Sequence, residues 1–251
     1  NYGKVDTNEK GGVVTKNKDG GVVTKNYGKV DTTEKGGVVT NNKNGGVVTK
    51  NYGKVDVNEK GGKVDTNEKD ALVNNNNSGA EVFSNAGLVS MNEGEVTNNY
   101  EKINVNMGIV TNNKNGGRVV GLHSKGKVAI NEKGGIVMGE AGTGGEMSDG
   151  VVTDNYGTVV SLGWVGKVIN NKKGGVITSS NGTVINNFGS VRSMGKVTNN
   201  KDGGVVNNTG TVDTNEKGGV VTNRDSGFNK YGKVTNNYGT VDINEKGGVV
   251  T

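Results

Sequence analysis

The chain has 251 residues, 46 of them glycine, with no cysteine and no proline, and only 30% hydrophobic and 4% aromatic residues. The missing cysteine excludes disulfides, thiolate metal sites and thiol nucleophiles, and so few apolar residues cannot fill a spherical core for a chain of this length. Thirty basic and 25 acidic residues leave a net charge of +5, but the signs are interleaved and no basic cluster carries stacking aromatics, so nucleic acid is not an expected partner.

Residues 1–25 read NYGKVDTNEKGGVVTKNKDGGVVTK, and residues 26–50 repeat them with changes only at Asn8/Thr33, Lys16/Asn41 and Asp19/Asn44. A third copy opens at Asn51 and then drifts. Inside each copy sits a shorter unit, G-x-V-x-x-N, followed by a connector of one or three residues. Its anchoring valines are Val5, Val14, Val23, Val30, Val39, Val48, Val55, Val64 and Val73, spaced 9, 9, 7, 9, 9, 7, 9, 9. The unit is rich in β-branched residues, and the connectors are rich in Gly and Asn, which accept positive φ at turns. The absence of proline suits a ladder in which nearly every N–H must pair, and no helical period is present.

Three short strands and three corners per 25 residues predict an all-β fold, a parallel β-helix that is a three-sided β-solenoid of about 22–25 residues per turn. A thin valine core running along a rod needs far fewer apolar side chains than a sphere does.

Strand alternation sends Val5 inward and Lys4 and Asp6 outward, and likewise Val14 inward with Val13 and Thr15 outward. The asparagine three residues after each inward valine (Asn8, Asn17, Asn26, Asn42, Asn51 and Asn58) falls at a corner, where stacking predicts a structural hydrogen-bonded ladder along the axis. Tyr2, Tyr27 and Tyr52, each in an NYG corner, are expected to stack in the same way. A 25-residue turn also places Lys4, Lys29 and Lys54 in one column and Asp6, Asp31 and Asp56 in the next, with each lysine leaning towards the aspartate on its own strand. The outward pairs Val13/Thr15, Val22/Thr24, Val38/Thr40 and Val47/Thr49 would form flat strips suited to lateral packing or to ice. In the third turn Lys63/Asp65 and Leu72/Asn74 interrupt them.

After the regular copies of residues 1–75, residues 74–165 read as less regular. Residues 74–77 look like a widened corner, and residues 139–150 (GEAGTGGEMSDG) look like a loop leaving the coil. His123, Phe83, Trp164, Met91, Met107, Met138 and Met147 concentrate here, which makes the section the place for a specific contact or else a relaxed spacer. Residues 166–251 return to degenerate repeats, interrupted at 225–231. One solenoid over residues 1–251 is expected, with about 32 units and roughly 10–11 turns; at about 4.8 Å per turn its length is on the order of 50 Å.

Little in the chain carries chemistry. His123 stands alone, and Glu9, Glu34, Glu59, Glu216 and Glu245 recur in corners as solvated charges. No catalytic, metal-binding or cofactor-binding residues are expected, and the reading is that the protein is not an enzyme. The glycines at 142–145 lack the following Lys-Ser/Thr of a phosphate loop. No apolar run reaches the roughly 18 residues of a membrane helix, and the sequons at Asn76, Asn181 and Asn207 are expected by chance in so asparagine-rich a chain.

Units such as GTVINNFGSV (182–191) and GKVTNNYGTV (232–241) resemble the short degenerate repeats of bacterial secreted β-solenoid proteins, the filamentous-haemagglutinin-like adhesins and fibres. That resemblance implies an exported, right-handed parallel β-helix used for adhesion or scaffolding, with no catalytic residues. The chain ends GGVVT and begins NYGKV as interior copies do, without polar caps. The expected function is a non-catalytic structural segment of an extracellular or cell-surface fibre. Its expected partners are further copies of itself, head to tail and laterally, and a host or matrix surface. Ice binding through the V-x-T strips, and a phage or cell-surface fibre that binds carbohydrate through the irregular section, are the alternatives.

Overall fold

A computed structural model describes residues 1–123, 125–139, 150–160, 166–224 and 232–251, and these contain β-strands and no helix. The strands are short and most end on asparagine: Lys4–Asn8, Val13–Asn17, Val22–Asn26 and onward, with Lys29–Thr33 an early exception. Consecutive strands do not pair. Each pairs in parallel with the strand two places further on. The chain is therefore a parallel β-solenoid with two strands per turn, about 16 residues per turn and about 14 turns in all.

The all-β solenoid is as expected, but the three sides and the 22–25 residues per turn are not. Two features explain the difference. Valine and asparagine of one unit are both buried, as in the pattern of Lys29–Thr33 or Val38–Asn42, where the second and fifth residues face inward. Strict alternation would bury the fourth residue instead. The pairing also skips the residue after the valine: Lys4, Val5, Thr7 and Asn8 have partners in the neighbouring strand and Asp6 has none. Each strand thus bends after its valine and wraps part of the core by itself, so two units close a turn where straight strands would need three.

Corner length accounts for the size of each turn. Corners have two residues, as at 27–28, or four, as at 9–12. Two five-residue strands with two corners then separate stacked asparagines by 14, 16 or 18 residues. In four-residue corners the N–H of the last residue donates to the carbonyl of the first, as from Gly12 to Glu9 at 2.8 Å. The third residue takes positive φ, +84° at Gly11, as a type II turn requires.

The chain forms two compact units, Asn1–Val120 and Gly121–Thr251. In the first, one sheet stacks Val5, Val23, Val39, Val55, Val73, Val89 and Ile103, and the other stacks Val14, Val30, Val48, Val64, Val82, Val96 and Val110. From Val23 onward these side chains are fully buried, and each such burial contributes about 1.5–3 kcal/mol. The 25-residue sequence copy holds three strands, so it makes one and a half turns, and successive copies enter opposite sheets.

The second unit repeats the arrangement. Val128, Val152, Val168, Val184, Val197, Val212 and Val234 form one column, and Val137, Val159, Ile177, Val191, Val206 and Val221 the other.

The first part of the section expected to be irregular keeps its register. Leu72–Asn76, Glu81–Asn85, Leu88–Asn92, Glu95–Asn99, Lys102–Asn106 and Ile109–Asn113 continue the same two sheets. Asn74, Asn75 and Asn76 lie inside a strand, so residues 74–77 are not a widened corner. Of the expected loop at 139–150, Gly139 ends the strand Ile136–Gly139, and residues 140–149 lie outside the described residues, as do Met147, Trp164 and the interruption at 225–231.

Candidate functional site

Most of the inward polar side chains are asparagines, and they form two columns per unit. In the first unit Asn8, Asn26, Asn42, Asn58, Asn76, Asn92 and Asn106 are joined side chain to side chain, each Nδ2 donating to the next Oδ1 at 2.7–2.8 Å. From Asn8 to Asn92 the second Nδ2 proton reaches a strand carbonyl in the opposite sheet, as from Asn42 to Lys63 at 3.0 Å and from Asn58 to Glu81 at 3.0 Å. One side chain thus ties a turn to the next and one sheet to the other. A fully buried amide is tolerated because its donors are used.

Asn17 and Asn51 belong to the other column, and Thr33 stands between them. Below Asn51 that column runs unbroken through Asn67, Asn85, Asn99 and Asn113. The buried Thr33 hydroxyl has no hydrogen-bond partner. Thr33→Asn therefore adds a link on each side and should raise stability by about 1–2 kcal/mol, read from the midpoint of urea unfolding at unchanged slope.

Outward positions follow the two-strand turn. Tyr2, Tyr52 and Tyr100 sit where the chain enters the first sheet, three turns apart, while Tyr27 lies on the opposite edge. The expected stack of Tyr2, Tyr27 and Tyr52 does not form. Nor do the lysine and aspartate columns: Lys4 is followed in its column by Val22, Val38 and then Lys54, and Lys29 lies in the other sheet between Val13 and Val47. Lysines do reach the aspartate on their own strand, Lys4–Asp6 at 2.7 Å, Lys29–Asp31 at 2.7 Å and Lys54–Asp56 at 2.6 Å. The hydrogen bond to Asp31, then its charge, raises the Lys29 pKa. With the folded value the higher, this small contribution is present at neutral pH and is lost only above pH about 10.

The expected V-x-T strips do not form, because the pairs are divided between the sheets. Val22 and Val38 are neighbours in the first sheet, and Thr24 and Thr40 follow them on the same two strands. Val13 with Thr15, and Val47 with Thr49, lie in the second sheet, separated by Lys29 and Asp31. Thr40, expected to project outward as part of a flat array, is half-buried instead. It sits at the bend after Val39, the position that the pairing with the neighbouring strands skips. Thr40 therefore has Thr24 above it and Asp56 below it, not a threonine on both sides. The four pairs make no single flat surface, and the Thr24 and Thr49 hydroxyls are shielded from solvent.

A feature that the repeat pattern hides lies on the edge between Tyr52 and Tyr100. The four-residue corner 68–71 projects there, the two-residue corner 86–87 falls back, and Tyr100-Glu101 follows. Together they enclose an open recess of about 280 Å³. Its floor is apolar, from Ala71, Leu72, Ala86 and Leu88, and its rim carries Lys69, Asp70, Glu101 and Lys102. Gly87 packs directly under the projecting corner, since a Cβ there would lie 2.4 Å from the Glu68 carbonyl oxygen.

Three glycine positions of the repeat are replaced around this recess. Asp70 takes the positive-φ position (φ 65°), the one non-glycine to do so among the described residues. Ala71 replaces the glycine that closes a four-residue corner, and Glu101 the glycine that closes a two-residue corner. Ala86 stands where Tyr27 and Tyr52 stand in their corners. Each exception is visible in the sequence, but their adjacency depends on which strand stacks on which.

Among the described residues no group of three or more His, Cys, Asp or Glu side chains could hold a metal ion, and no helix is long and apolar enough to cross a membrane. No family model matches the sequence, and no curated protein matches it. Among solved structures, the crystal structure of a TibC-catalyzed hyper-glycosylated TibA fragment aligns with 99% of this chain and 99% of its own, at 16% sequence identity and a TM-score of 0.48.

Proposed function

We propose that the chain is a non-catalytic structural segment of an extracellular surface or matrix fibre, lengthened by stacking coils of one kind. The observation that carries this reading is that one inward valine or isoleucine stacks on the next, turn after turn, in both sheets of each unit. Length is added turn by turn on the same two sheets, with only the corners changing in size, and the inward side chains carry only packing and hydrogen bonds.

Electron microscopy and fibre diffraction of the purified chain test this. Filaments with an axial repeat near 4.8 Å along their length are expected. Particles that remain single short rods at every concentration, with no such reflection in concentrated samples, would remove the assembly part of the reading.

A further inference from the structure

We propose that the recess between Tyr52 and Tyr100 is a binding site for a neutral oligosaccharide lying along the edge of the solenoid. The first support is the set of exceptions that build it. A solenoid needs glycine at corner positions where φ is positive or where a Cβ would meet backbone. Here Asp70, Ala71 and Glu101 replace it in corners that all contribute to one concave surface. Ala80 makes the same exchange as Ala71 outside the recess, but Asp70 is the one non-glycine residue with positive φ among the described residues, and backbone held in that region marks a functional place.

The chemistry of the surface selects the ligand. The floor of Leu72, Leu88 and Ala86 is apolar and matches the C–H face of a pyranose ring. The rim offers two carboxylates, Asp70 and Glu101, and two ammonium groups, Lys69 and Lys102. None of the four is engaged in an ion pair with another described residue, so their donors and acceptors are available to hydroxyl groups. Their charges sum to zero, so the rim favours neither a polyanion nor a polycation.

Tyr52 and Tyr100 are exposed, at 42% and 46%, and flank the recess three turns apart. That is about 14 Å, enough for two or three sugar rings between two stacking platforms. The volume suits about one ring in the recess itself, at the small end of ligand sites.

The test uses the intact chain and hexasaccharides of β-1,4-linked glucose, β-1,4-linked N-acetylglucosamine and α-linked mannose, with a heparin hexasaccharide as the charged control. Calorimetry should show saturable binding of at least one neutral hexasaccharide, unchanged in about 0.5 M NaCl. Ala86→Tyr rebuilds the NYG corner that the fold already carries at Tyr27, Tyr52, Tyr156 and Tyr238 and fills the recess. It should weaken binding about tenfold or more with thermal unfolding unchanged. Tyr100→Ala, on the exposed edge, should weaken it about fivefold.

Absence of binding by all three neutral probes at about 10 mM would overturn the proposal. So would binding of heparin alone with loss in salt, or an affinity that Ala86→Tyr leaves intact. None of these outcomes bears on the fibre reading, which the filament experiment decides separately.

Discussion

Replacing Asn42 with aspartate is expected to lower stability by about 3 kcal/mol or more at neutral pH. Asn42 accepts from Asn26 at 2.8 Å, donates to Asn58 Oδ1 at 2.8 Å and donates to the Lys63 carbonyl at 3.0 Å, all with the side chain fully buried. Aspartate is the same size but has no donors. Its oxygens would face the Asn58 and Lys63 oxygens, and its charge would sit in the core.

The pH dependence distinguishes this cause from general damage. Burial raises the folded pKa of such a carboxyl above the unfolded value of about 3.9. Because the native state then holds a proton that the unfolded state has released, the deficit grows as pH rises from about 4 to the folded pKa, and is smallest below that window. Urea unfolding at several pH values measures it, with Asn42→Ala as the control whose deficit does not change with pH. Equal deficits for Asn42→Asp at pH 3 and pH 7 would show that the donors and the buried charge are not what matters.

Gly53→Ala is expected to cost about 3 kcal/mol, an unusual amount for one methyl group near a surface corner. An added Cβ would lie 2.3 Å from the Gly37 carbonyl oxygen and 2.4 Å from that of Glu34. These are backbone atoms, and the Gly37 carbonyl already accepts from Lys54 N–H at 3.0 Å, so relief of the clash breaks the ladder. Gly45 provides the contrast. Its φ is +83°, but the nearest atom to an added Cβ is 3.9 Å away, so alanine there carries only the left-handed backbone cost of about 1–2 kcal/mol. Calorimetric melting of the two variants should order them clearly. A Gly45→Ala loss equal to or larger than that of Gly53→Ala would contradict the packing account.

Much of the solenoid could be read from residues alone. The 9, 9, 7 spacing identifies Val5, Val14, Val23 and their successors as the inward residues, and the asparagine three places after each as the member of an axial ladder. The number of sides could not be read in the same way. Most units present the same inward valine and asparagine, so stacking a unit on its second or its third neighbour satisfies the core equally well. The deciding signal was the offset itself. An inward residue three places after an inward valine breaks the two-residue alternation of a straight strand, and the bend it requires is what closes the turn with two units. A three-unit turn gives the tyrosines, the lysine columns and the V-x-T strips neighbours they do not have. Thr40 shows both errors at once, since the bend half-buries it and the two-unit turn sets it over Asp56. The recess was hidden for the same reason, since Asp70, Ala86 and Glu101 meet only when residues 14–18 apart are stacked.

Two units per turn and three per sequence copy have a consequence for how such a gene can change. Losing or gaining one G-x-V-x-x-N unit in the first sixty residues would leave both valine columns filled, because every unit there has the same inward valine and all but the one ending at Thr33 have the same inward asparagine. Yet each unit downstream would move from one sheet to the other, so the surface formerly displayed on one side would be presented on its opposite. Changes by pairs of units would lengthen or shorten the structure and keep its display. Recombination among near-identical copies could therefore switch what such a surface shows to its surroundings in a single step, at almost no cost to folding.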